Sequence, residues 1–153
     1  MRRIIAVLAV SLLALFGIAA PAQASINGCA DGGYVCFYNW YNFNPGGGFY
    51  QVSMHGPYGT CHNLPLSGVS GWPGGKVYDT ATSLIVNNSG TNSVPGRSGI
   101  NFFEWANCNT GGQFFTIVFN SCCGGTAPTF VLEPDLTSNN FSDTIGSWDV
   151  IGV

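Results

Sequence analysis

From Ser25 onward, short apolar runs alternate with polar and turn-forming clusters, with almost none of the 3.6-residue spacing of a helix. The runs are "YVCFYNW" (34–40), "GFYQVSM" (48–54), "TSLIVNN" (82–88), "INFFEWA" (100–106), "QFFTIVF" (113–119), "TFVLE" (129–133) and "SWDVIGV" (147–153), with Gly, Pro and Asn clusters between them. Such segments, rich in Val, Ile, Phe, Tyr and Thr and bounded by turn formers, predict strands and an all-β domain.

Two of the segments are copies. Shifted by 65 positions, Val35–Val52 lies on Ile100–Ile117 with Phe37/Phe102, Trp40/Trp105, Asn42/Asn107, Asn44/Asn109, Gly46/Gly111, Gly47/Gly112 and Phe49/Phe114 identical. One residue out of step, "DTATSLIV" (79–86) then matches "DTIGSWDV" (143–150) at Asp79/Asp143, Ser83/Ser147 and Val86/Val150. Each copy reads as a strand, an aromatic corner, a glycine fold-over, a second strand, a long loop and a closing strand. Four strands with a long return connection make a Greek key, and two of them predict a sandwich. The rings kept in both copies, Trp40 and Trp105 among them, are read as corner and core.

The first 24 residues have another pattern: Arg2 and Arg3, an apolar run, then Ala22-Gln23-Ala24. This is the form of a secretory signal peptide. The domain is therefore expected to occupy 25–153, with Greek key one at about 29–88 and Greek key two at about 98–153, as a secreted monomer. After residue 24 the basic residues are Lys76 and Arg97, against seven acids. That balance excludes phosphate-rich partners, so neither nucleic acid nor a membrane is expected.

All six cysteines (Cys29, Cys36, Cys61, Cys108, Cys122, Cys123) follow residue 24, and an even set in an exported chain predicts disulfides of undetermined pairing. Zinc spacing is absent. His55 and His62 flank Cys61, but no motif for an activated nucleophile accompanies them, and no enzyme is predicted.

The corner residues resemble the βγ-crystallin Greek-key motif, an aromatic-x-x-x-x-aromatic-x-Gly corner followed by an Asp/Asn-Asp/Asn-x-x-Ser/Thr-Ser turn. Copy one carries Tyr38, Phe43 and then Gly46, with the glycine one place late. Copy two carries Phe103, then Cys108 in place of the second ring, then Gly111. The "CADGGYVCFY" opening is similar to the secreted peptidase-inhibitor family typified by the Streptomyces metalloproteinase inhibitor. That resemblance implies a disulfide-stapled βγ-crystallin-like sandwich inhibiting a secreted metallopeptidase through a rigid loop. Candidate loops are 53–76, with Cys61 and His62, and 120–130, with Cys122, Cys123, Thr126 and Pro128.

The same resemblance implies calcium at the two turns, through Asp79, Thr82 and Ser83 in the first and Asp143 and Ser147 in the second. Both turns are degenerate: Tyr78 and Ser142 stand in the leading slots, and Gly146 replaces a hydroxyl. Weak calcium is thus the one cofactor in view. The alternative to inhibition is a cell-wall, glycan-binding or toxin-like module. For that role the rings expected to be exposed are Trp72, in a loop, and Tyr41 and Phe43, which copy two lacks.

Overall fold

The computed structural model describes residues 25–89, 94, 96–119 and 129–152. The signal segment and Cys122, Cys123, Thr126 and Pro128 lie outside the described residues. Copy one supplies β1 (Tyr34–Tyr38), β2 (Phe49–Ser53), β3 (His62–Asn63) and β4 (Ser83–Asn88). Copy two supplies β5 (Arg97–Phe103), β6 (Phe114–Val118), β7 (Thr129–Glu133) and β8 (Ser147–Gly152).

The strands form two four-stranded antiparallel sheets, ordered β2-β1-β4-β7 and β3-β8-β5-β6. Each sheet therefore holds three strands of one copy and the third strand of the other. This exchange ties the copies together by main-chain hydrogen bonds as well as by side-chain packing.

Period-two alternation sends Val35, Phe37, Leu84 and Val86 of one sheet against Ile100, Phe102, Ile117, Trp148 and Val150 of the other, all buried. Phe37 and Phe102, equivalent positions of the two copies, meet edge to face across the sandwich with centroids 6.2 Å apart, a favoured aromatic geometry. The outer face of β1 is covered too. Cys29, Cys36, Tyr38, Phe43 and Ile85 form a second buried cluster, with Cys29 bonded to Cys36. On the outer face of the second sheet, by contrast, a polar chain runs from Thr116 through Asn101 to Asp149.

Candidate functional site: the cleft between the two turns

The two aromatic corners are built alike. In each, an Asn (Asn42, Asn107) and the residue after it (Phe43, Cys108) adopt positive φ, from 50° to 60°, where Asn is tolerated and bulkier residues are uncommon. A serine from the closing strand fastens each corner. The Ser83 hydroxyl donates to the Trp40 carbonyl at 2.7 Å and accepts from the Phe43 N–H at 3.2 Å. The Ser147 hydroxyl donates to the Trp105 carbonyl at 2.5 Å and accepts from the Cys108 N–H at 2.9 Å.

Glycines set the ring positions. A Cβ on Gly47 would sit 2.3 Å from the Trp40 indole, and one on Gly112 would sit 3.2 Å from that of Trp105. Each indole thus lies on glycine backbone with much of its surface open, Trp40 at 52% and Trp105 at 46%. These two rings were expected to be corner and core; they are corner rings, half exposed, because bare backbone covers a single side.

The turns that follow meet head to head. The Asp79 N–H donates to the Ile145 carbonyl, and the Asp143 N–H to the Ala81 carbonyl, both at 3.0 Å. Both aspartates have positive φ, 55° and 58°. Between the turns and the second corner lies an open cleft of about 230 Å³, lined by Tyr78, Asp79, Glu104, Trp105, Asp143 and Thr144. Loss of water at the turn lifts the Asp79 carboxyl above its ordinary range, Lys76 pulls it back, and Glu104 pushes it further up. The same loss of water raises Asp143.

The donors do not fit calcium. The Ser83 and Ser147 hydroxyls are spent on the corners. Gly146 cannot carry a hydroxyl side chain, because a Cβ there would lie 2.6 Å from the Glu104 carbonyl oxygen and 2.8 Å from the Tyr78 ring. Thr82 turns its hydroxyl toward the Tyr38 carbonyl at 3.5 Å. Among the described residues no group of three or more His, Cys, Asp or Glu converges closely enough to hold a metal ion.

Two candidate exposed rings are corrected. Trp72 is 4% exposed; its indole N–H donates to the Thr80 hydroxyl at 2.8 Å, which lets a loop tryptophan be buried. Phe43 is also buried, edge-on to Tyr38. Tyr41 is exposed.

Cys61 is bonded to Cys108, so it is a crosslink and not a thiol nucleophile, and His62 stacks on Trp148 with centroids 4.4 Å apart. His55 bonds the Gly32 carbonyl. Glu104, Trp105 and Tyr78 were not singled out as binding residues. The visible signal was the replacement of Asn39 by Glu104 beside the matching Trp40/Trp105 of the two copies.

No protein-family model matches the chain, and no curated protein matches it. A solved structure titled "Evolution of the eye lens beta-gamma-crystallin domain fold" superposes with a TM-score of 0.50 at 20% identity, covering 84% of this chain and 95% of that one. The fold is that of a βγ-crystallin domain. At that identity the likeness extends to the fold alone, and the βγ-crystallin sandwich is a scaffold on which function must be argued from local chemistry.

Proposed function

We propose that the protein is an exported inhibitor of secreted peptidases, metallopeptidases first among them, and that it acts by presenting a preformed loop. The supporting observation is the segment 64–77 within the long loop of copy one. The Pro65 carbonyl accepts from the N–H groups of Val77 and Tyr78 at 2.9 and 3.1 Å, and Val69 N–H donates to the Gly75 carbonyl at 3.0 Å. Leu64 and Trp72 are buried and anchor the segment. Between them Leu66 stands 67% exposed, beside exposed Ser67 and Gly68. A hydrogen-bonded loop that already exposes an apolar side chain loses little ordering entropy when it enters a cleft, which is the requirement for tight inhibition.

The part of the loop before Cys61 is held as well. It closes a turn at Pro57–Thr60 and is pinned by buried Arg97, which donates to the Met54 and Gly56 carbonyls. Two disulfides in so small a domain fit an extracellular compartment.

The test is a titration of thermolysin-like, serine and cysteine peptidases with the purified protein. Near-stoichiometric inhibition of the metallopeptidase is expected, and Leu66→Asp should weaken it at least about a hundredfold while the thermal midpoint stays put. An inactive wild type across the whole panel would overturn the reading.

A further inference from the structure

The cleft at the second corner is independent of the inhibitor reading and has its own chemistry. Trp105 offers a flat indole face fixed from behind by Gly111 and Gly112. Such a plane stacks on the C–H face of a pyranose without first having to be ordered. Three carboxylates, Asp79, Glu104 and Asp143, stand around the same opening. They do not converge on one point, so they suit groups spread over a ring better than a single ion.

Thr144 completes the wall beside these carboxylates. The rim already holds one ammonium by the same means. Lys76 Nζ lies 5.4 Å from the Tyr78 ring centroid and 3.8 Å from Asp79. One lysine against three carboxylates leaves the opening negative, and a cation over an aromatic face is favoured where carboxylates share the site.

The first corner provides an internal control. Trp40 is equally flat and equally open, but Asn39 replaces Glu104, and its amide is spent on the Thr80 carbonyl at 2.8 Å. In the second corner Glu104 accepts the Gln113 N–H through one oxygen, Oε2, at 2.9 Å. A carboxylate has further lone pairs to offer.

We propose that the cleft formed by Trp105, Glu104, Asp79, Asp143 and Thr144 binds an amino sugar, a glucosaminyl unit of a cationic glycan. Its pyranose face lies on the Trp105 indole, and its ammonium lies among the carboxylates.

The test titrates the intact protein, by calorimetry and tryptophan fluorescence, with a glucosamine tetramer, an N-acetylglucosamine tetramer, a lysine tetrapeptide and calcium chloride. The glucosamine tetramer is expected to bind at least about tenfold more tightly than its neutral N-acetyl counterpart and than the lysine peptide. Trp105→Ala and Glu104→Gln should each weaken it at least about tenfold, whereas Trp40→Ala and Leu66→Asp leave it unchanged; thermal melts identify any variant that fails to fold. Glu104→Gln keeps an oxygen for the Gln113 N–H, so it removes charge with the corner intact.

Equal affinity for both sugars, a lysine peptide binding as tightly, equal losses from Trp40→Ala and Trp105→Ala, or a response to calcium alone would each overturn the proposal. Leu66→Asp failing to inhibit while still binding the glycan would separate this site from the inhibitory loop.

Discussion

The two aromatic corners share a backbone and differ in what holds them and what they offer. At the first corner, Phe43 is buried against Tyr38, next to the short Cys29–Cys36 bridge. At the second, Cys108 occupies the position of Phe43, and its bond to Cys61 does the holding. The partner strands reinforce this difference. Asn42 N–H donates to the Pro134 carbonyl beyond β7, whereas Asn107 exchanges two hydrogen bonds with the Asn63 side chain on β3. A ring that fastens a corner by burial has been replaced by a covalent link. With Asn39 also replaced by Glu104, that corner opens on a negatively charged cleft. Copying fixes the frame, and divergence at two positions of each pair separates support from recognition.

The largest test of this contrast is removal of the bridges. Cys61–Cys108 spans 47 residues and Cys29–Cys36 only 7. By loop-closure entropy the paired change Cys61→Ala, Cys108→Ala costs about 4 kcal/mol and the pair Cys29→Ala, Cys36→Ala about 2 kcal/mol. Chemical denaturation measures both. Equal losses would mean that the two corners are held alike.

Glycine substitutions come next. Gly47→Ala drives a methyl into the Trp40 indole, so an overpacking cost of about 1–3 kcal/mol is expected. Gly112→Ala meets its nearest obstacle, at 2.8 Å, in the movable Glu104 carboxylate and should cost less. The reverse order of midpoints would show that the corners are packed otherwise than described.

The smallest effect concerns Asp143. Its carboxyl is raised in the folded state, so ionisation disfavours folding once pH exceeds the folded-state value. The stability it contributes is fully present below the ordinary carboxylate range and is lost as pH rises through the raised value. Asp143→Asn, at a positive-φ position that Asn accepts, should therefore raise the midpoint at neutral pH and show no gain in acid. A midpoint lowered at neutral pH would mean that the charge is favourably paired.

Much of this architecture was legible in the chain. Short runs rich in β-formers between turn residues marked every strand except β3, and the shifted repeat pointed to two Greek keys. Strand β3 escaped because two residues, His62 and Asn63, form no such run, and their pairing with β8 depends on the other copy. Trp72 was misread because loop position suggests exposure, while a hydrogen bond to Thr80 and contact with the Gly48 fold-over bury it. Trp40 and Trp105 were read as corner and core alike because repetition reveals structural need but not which face of a ring is covered. The cleft was hidden for a related reason: its wall combines turns and a corner from both copies, and no contiguous motif contains them. The changes from Asn39 to Glu104, Tyr41 to Ala106 and Phe43 to Cys108 hinted that the corners had diverged in use.

The central claim is that the corners share a backbone and are unequal in function. It is tested most directly by following the two indole N–H signals of Trp40 and Trp105 by NMR during titration with the glucosamine tetramer. The Trp105 signal should shift progressively to saturation while that of Trp40 stays in place. Parallel shifts of both signals, or movement of Trp40 alone, would contradict the account.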